Sequence, residues 1–224
     1  LGQCGAVLSA AHSAGGQNGE DGKVQAAFDL MGIPYTGTGY LSSAMAMDKG
    51  VTKAMFQMRG VSTPGGKAMK KKDRQDSLAA LGMEFPVVVK TCCGGSSIGV
   101  YIVDNQEDYV KALDEAFEYE NEVVIEEFIK GVEYTVAVVD GTAYPVVQIV
   151  PKEGFYDYEN KYKPGAVQET CPAPISEELT KRLQEAAVDG YHALEMESYA
   201  RLDFIVTEDE KIYCLEANTL PGMT

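Results

Sequence analysis

The sequence predicts a mixed α/β and α+β chain of several lobes, and three observations carry that reading. Helix, short strand and helix follow one another before residue 60. From Phe85 the pattern becomes strand, Gly/Ser-rich loop and strand, with a helix after it. The chain closes on a helical pattern and two alternating strands, 200–206 and 211–217.

Taken in order, residues 15–22 form a Gly-rich turn. Lys23 to Met31 then reads as a helix, with Val24, Ala27, Phe28 and Met31 on one face and Gly32 as its stop. A short strand is expected at Ile33 to Thr36, a turn at Gly37-Thr38-Gly39, and one helix from about Ser42 to Arg59, ended by Gly60. Pro86 to Lys90 and Gly99 to Val103 read as the strands of an antiparallel hairpin around the loop 91–98. Helix 106–118 and strand Val123 to Ile125 lead to strands at Glu133–Val139 and Ala143–Val150. A polar, Tyr-rich loop at 152–172 and helix 176–193 precede the final ribbon. The expected lobes are 1–37, 38–126 and 127–224, the first an α/β remnant and the others α+β.

The 224 residues are 45% hydrophobic and 24% charged, an ordinary globular composition. No apolar run approaches the roughly 20 residues of a membrane span, and the start lacks a signal-peptide pattern and an initiator Met, which reads as a chain entered in mid-domain. The net charge of −15 disfavours nucleic acid and anionic membrane as partners. It also requires any nucleotide site to gather its cations locally or through Mg²⁺. The five cysteines (Cys4, Cys92, Cys93, Cys171, Cys214) show no metal-type spacing and read as free thiols of a reducing cytoplasm.

The ribbon carries the chemistry. If Val206 pairs with Lys211, then Arg201 faces Glu216 and Asp203 faces Cys214, across a turn at Thr207-Glu208-Asp209-Glu210. Alternation then puts Arg201, Asp203, Glu216 and Asn218 on one face and Leu202, Phe204, Tyr213 and Leu215 on the other. Two carboxylates and an amide oxygen are hard ligands suited to Mg²⁺. The spacing alone equally fits a plain Arg201–Glu216 ion pair on a solvated face.

Other pieces suit a nucleotide. Lys90 ends an apolar strand before Thr91-Cys92-Cys93-Gly94-Gly95-Ser96-Ser97-Ile98-Gly99, whose amides and hydroxyls could wrap phosphate, although no P-loop is present. Ile125-Glu126-Glu127-Phe128-Ile129 could read an adenine edge with its backbone, and Glu133 could accept from ribose hydroxyls. Alone, each also fits a bland reading: a flexible hairpin, an edge strand, a surface lysine at Lys49, a solvated loop residue at His12.

Together these stretches resemble the ATP-grasp superfamily, and within it the D-alanine–D-alanine ligase family. The carriers, in order, are Gly19-Glu20-Asp21-Gly22, Pro34-Tyr35-Thr36-Gly37, Met47-Asp48-Lys49, Val89-Lys90 with Gly94 to Val100, Ile125 to Phe128, Phe155 to Tyr162, Arg201-Leu202-Asp203, and Glu216 to Thr224. The resemblance implies an ATP-grasp fold: a partial N-terminal α/β substrate lobe at 1–37, a central small lobe at 38–126 and a larger C-terminal lobe at 127–224. Both the start of the first lobe and the C-terminal end are expected to be missing.

The implied reaction is ATP-dependent joining of two D-alanines through a D-alanyl phosphate, for peptidoglycan precursor synthesis in the cytoplasm. The alternatives are a D-alanine–D-serine ligase and an ATP-binding but inactive module. By resemblance Lys49, Lys90, Ser96, Ser97 and Lys161 contact the nucleotide phosphates, Glu126, Glu127, Phe128 and Ile129 frame the adenine, and Glu133 holds the ribose. Asp203, Glu216 and Asn218 hold two Mg²⁺, with Mn²⁺ as a substitute. Arg201 serves the reacting oxygens, and Ser96, Tyr162, Lys161 and Glu20 complete the catalytic set. The implied partners are D-alanine, ATP and a second copy in a homodimer. The family's Pro after the strand lysine is Thr91 here, and its His lies closer to the acidic pair than His12 does.

Overall fold

A computed structural model describes residues 19–94, 99–151 and 167–221. Two antiparallel sheets organise them. The smaller contains β1 (Gly66–Lys70), β2 (Val87–Thr91), β3 (Val100–Val103) and β4 (Glu122–Glu127), in the order β1-β4-β2-β3. The larger contains β5 (Val132–Val139), β7 (Val147–Pro151), β8 (Val167–Thr170), β9 (Tyr199–Val206) and β10 (Ile212–Asn218), in the order β10-β9-β5-β7-β8. The short β6 (Thr142–Ala143) pairs with β5.

Each sheet buries one face under a helix. Helix α4 (Gln106–Tyr119) turns Tyr109, Ala112, Leu113, Ala116 and Phe117 onto the smaller sheet, where they meet Val87, Val89, Val123 and Ile125. That is the i, i+3, i+4, i+7, i+8 stripe of an amphipathic helix. Asn105 caps it by accepting from the Asp108 amide at 2.9 Å. Helix α5 (Glu177–Ala193), capped by Ser176, sets Leu183, Ala187 and Tyr191 against Val136, Val138, Leu202 and Phe204 of the larger sheet. No described helix is long and apolar enough to cross a membrane.

Several elements depart from the sequence expectation. Helix α1 (Lys23–Met31) forms as expected, but its apolar face is only partly covered: Val24 and Phe28 are half-buried, with Phe28 against the Tyr35 ring, while Met31 is 58% exposed. The expected strand at 33–36 is only an isolated bridge residue at Tyr35. The single helix expected at 42–59 is two, α2 (Tyr40–Met47) and α3 (Lys49–Arg59). Asp48 separates them: it leaves helical geometry with ψ 104, and its carboxylate caps α3 at the Val51 amide, 2.9 Å away. The expected strand 143–150 divides into β6 and β7. Strands β1 and β8 were not anticipated, since Gly66-Lys67-Ala68-Met69-Lys70 and Val167-Gln168-Glu169-Thr170 lack an apolar run.

Helix α3 ties the two sheets together. Phe56 is fully buried in the core of the larger sheet with Ala46 and Val61, although these residues fall inside the span 38–126. One turn earlier, Lys53 reaches the smaller sheet at Glu126, 3.0 Å away. Beyond the helix, the Cys214 amide donates to the Ser62 carbonyl at 2.8 Å.

Candidate active site

The ribbon β9–β10 forms, but in a different register from the one expected. Val206 pairs with Ile212 and Phe204 with Cys214, one residue along from the expected partners. A β-bulge between Cys214 and Glu216 then shifts the ladder again, so Asp203 faces Glu216 and Arg201 faces Asn218. The expected pairs Arg201–Glu216 and Asp203–Cys214 are thereby replaced. The expected apolar face is corrected too: Leu202 and Phe204 are buried with Cys214 and Ala217, not with Tyr213 and Leu215. The bulge absorbs Leu215 and restores the parity that keeps Glu216 and Asn218 beside Asp203.

On that face Asp203 is held from three sides. Its Oδ1 accepts from Arg201 Nε at 2.9 Å and from Thr135 Oγ1 at 2.6 Å. Its Oδ2 accepts from Arg201 Nη2 at 2.8 Å and from Asn218 Nδ2 at 3.0 Å. Asn218 Nδ2 also approaches Glu216 Oε1, 3.5 Å away. The ion pair of the ribbon is thus bidentate and joins Arg201 to Asp203. Behind it, burial and then the Asp203 and Glu216 carboxylates raise the Cys214 thiol well above its ordinary pKa.

This donor set fits a hard divalent cation. Two carboxylates and an amide converge from paired strands, and Arg201 pairs with the Asp203 carboxylate. Glu133 adds a third acid. It lies on β5, which pairs Thr135 with Asp203, and it shares the Thr135 face roughly 7 Å further along.

The smaller sheet presents a second charged group. Glu126, 3% exposed, takes Lys90 Nζ at 2.6 Å on Oε2 and Lys53 Nζ at 3.0 Å on Oε1. Burial alone would raise its pKa, but the two ammonium groups outweigh it and hold the carboxyl below the usual range. Burial lowers the Lys53 pKa against the pull of Glu126. Lys53 also donates to the Pro64 carbonyl at 2.5 Å. Lys90 therefore stands on the face of β2 away from α4, with its charge shared.

The adenine-framing stretch is partly spoken for within the fold. The Glu127 amide donates to the Gly65 carbonyl at 2.8 Å and the Phe128 amide to the Pro86 carbonyl at 3.1 Å. Glu127 Oε1 accepts from the Gly65 amide at 2.7 Å. A base edge would have to be read by other groups of the stretch, with half-buried Phe128 and Ile129 beside it. Lys49, at the start of α3, donates from Nζ to the Gly94 carbonyl at 2.6 Å, which puts its ammonium beside the Gly-rich loop. Glu20 lies half-buried in the turn before α1. Ser96, Ser97, Lys161, Tyr162 and His12 lie outside the described residues.

Two positioning residues escaped the sequence reading. Thr135 gave no signal beyond strand parity on β5. Lys53 sits one turn after Lys49, but nothing local marks it as the second clamp on Glu126.

Comparison with known proteins bears on the same residues. The family model for the C-terminal part of D-alanine–D-alanine ligases matches residues 50–224. The D-alanine–D-alanine ligase of Syntrophotalea carbinolica is 46% identical over 209 residues, covering 93% of this chain and 67% of that protein. That of Geobacter sulfurreducens is 44% identical, with 66% of its length covered. The chain thus spans about two thirds of these relatives. Among solved structures, the ATP complex of the Bacillus anthracis D-alanine–D-alanine ligase superposes with a TM-score of 0.85 at 35% identity, covering 100% of this chain and 70% of that one. A D-Ala:D-Ser ligase from Enterococcus faecalis matches with a TM-score of 0.86 at 34% identity, covering 98% and 65%. With the ATP-grasp architecture and the acidic ribbon already in place, these matches establish that the chain belongs to the D-alanine–D-alanine ligase family.

Proposed function

We propose that the chain carries the ATP-dependent ligation of two D-alanines, releasing ADP and phosphate, with D-alanyl phosphate as the activated intermediate. The observation that supports it best is the single face on which Arg201, Asp203, Glu216, Asn218 and Thr135 converge. On this reading the product feeds peptidoglycan precursor synthesis in the cytoplasm, and the working unit is a homodimer. The division into lobes at 37 and 126 belongs to the same proposal.

Asp203, Glu216 and Asn218 would hold Mg²⁺, two ions on this reading. When bound, the metal neutralises phosphate charge as it develops on the transferring oxygens. The chain's own residues do the rest. Lys49 and Lys90 meet the nucleotide phosphates, and Glu133 accepts from the ribose hydroxyls. The Glu126–Ile129 stretch lines the base, with Glu126 fixing Lys90 rather than touching the nucleotide. Arg201, with two parallel donors, would serve the reacting oxygens. Lys161 would contact the γ-phosphate and help to keep water from the acyl phosphate. Ser96, Ser97, Tyr162 and Glu20 serve the phosphates, the first D-alanine and the attacking amine.

The test is D-alanine-dependent ADP release with Mg-ATP; ATP turnover indifferent to D-alanine would overturn the assignment. A D-alanine–D-serine ligase is the second reading, favoured by the equally good superposition on the D-Ala:D-Ser enzyme. Product mass after competition between D-alanine and D-serine separates the two.

A further inference from the structure

We propose that Asp48, Cys92 and Cys93 form a binding site for one thiophilic divalent cation of the zinc class, separate from the oxygen-donor face of β9 and β10. One ligand atom from each residue lies within 4.8 Å of the other two. Cys92 Sγ is already 3.1 Å from Asp48 Oδ1. Adjacent residues of a strand point to opposite faces, so neighbouring cysteines rarely converge. Here β2 ends at Thr91 and the chain bends at Cys92 and Cys93, which lets both thiols serve one point.

The ligands are held by hydrogen bonds of their backbone groups that owe nothing to a metal. The Lys49 amide donates to the Cys92 carbonyl at 3.0 Å, and the Cys92 amide to the Glu122 carbonyl at 3.2 Å. The Cys93 amide donates to Glu120 Oε2 at 2.8 Å. Gly50 keeps the approach open, since a Cβ there would stand 3.2 Å from Asp48 Oδ1 and 3.6 Å from Cys92 Sγ. Cys92 is buried and Cys93 half-buried, so an ion enters from the Cys93 side.

Two sulfurs and one carboxylate select zinc or cadmium over magnesium or calcium, which take oxygen ligands. Tetrahedral binding, with bonds of about 2.3 Å to sulfur and 2.0–2.2 Å to oxygen, asks only a modest closing of the cluster and leaves a fourth position for water. The incoming aquo ion sheds its other waters, and the thiols release their protons to solvent. The result is a cross-link between the end of β2 and the start of α3, one residue from Lys49.

The experiment titrates the reduced, chelator-treated protein with Cd²⁺ and follows thiolate-to-metal charge-transfer absorption. One equivalent should saturate the band, and Zn²⁺ should displace it. A Cys4→Ser/Cys171→Ser variant should titrate like the wild type. Cys92→Ser and Cys93→Ser should lose the site. Asp48→Asn, which keeps the helix cap, should weaken binding by more than the roughly 10- to 100-fold that losing a supporting hydrogen bond costs. Circular dichroism checks each fold, and half-exposed Cys93 makes its serine variant the one least exposed to misfolding. Absence of the band, or an unchanged titration in a folded Cys93→Ser protein, would overturn the site.

Discussion

Asp203 and Glu216 stand opposite each other because a bulge at Leu215 re-phases β10 against β9. Had Leu215 entered the ladder, it would have faced Asp203 and Glu216 would have faced Leu202, which is fully buried. A carboxylate in that core has no partner there, so the irregular strand is the cheaper solution. The acidic face is thus a product of β-sheet parity corrected by one residue.

Glu216→Gln is nearly isosteric and lies on the half-buried face, so folding should survive. The loss of a metal-neutralising charge should cut D-alanine-dependent ADP release by on the order of 100-fold or more. Asp203→Asn should behave alike. Rates near wild type with Mg-ATP would remove both from the ligand set.

Thr135→Val keeps the shape of the side chain and removes the 2.6 Å bond to Asp203. The stability cost should be about 1.5–3 kcal/mol, as for a hydrogen bond to a charged group. The more telling effect is on magnesium: half-saturation for ADP release should rise about tenfold, with a smaller change at saturating Mg²⁺. An unchanged Mg²⁺ dependence would mean that Asp203 needs no such support.

Glu126→Gln should destabilise the protein by about 3–5 kcal/mol at neutral pH, because Lys53 and Lys90 lose their shared counter-charge. The folded carboxyl titrates below the ordinary value of 4.5. Its contribution is therefore fully present above that value and is lost as pH falls through the lower, folded one. Denaturation midpoints measured from neutral to acid pH should show this decline in the wild type. The decline should be shallower in the variant; parallel curves would rule the carboxylate out as its source.

Gly22→Ala should loosen the start of α1. Gly22 has φ +85, and an added Cβ would lie 2.3 Å from the Tyr40 carbonyl oxygen. The expected cost is about 1–3 kcal/mol, confined to the junction of α1 and α2. Hydrogen exchange should speed up in α1 and leave β9 and β10 protected; uniform acceleration would show a global role instead.

Periodicity placed α1, α4 and α5 to within a residue or two, because each buries or offers a stripe that its own spacing defines. Ser176, Asn105 and Gly32 mark ends by local backbone chemistry, which is also readable in one dimension. Strands β1 and β8 were not legible, since Lys67, Lys70 and Gln168 carry no alternation and pair only because β4 and β7 offer free edges. The break between α2 and α3 was not legible, because the periodic pattern runs through Asp48; in the fold Asp48 caps α3 and the Lys49 amide donates to the Cys92 carbonyl just after β2.

The sequence by itself determined which groups are on offer: the oxygen donors of Asp203, Glu216 and Asn218, the Arg201 beside them, and the family motifs in order. Those are properties of residue type and spacing, which survive without coordinates. Only the tertiary structure decided who faces whom. It replaced Arg201–Glu216 with Asp203–Glu216, gave Asp203 its third support in Thr135, and assigned Glu126 to Lys53 and Lys90. Each of these depends on strand register or on a helix crossing between sheets. Such contacts join residues tens of positions apart, and no local pattern encodes the distance between them.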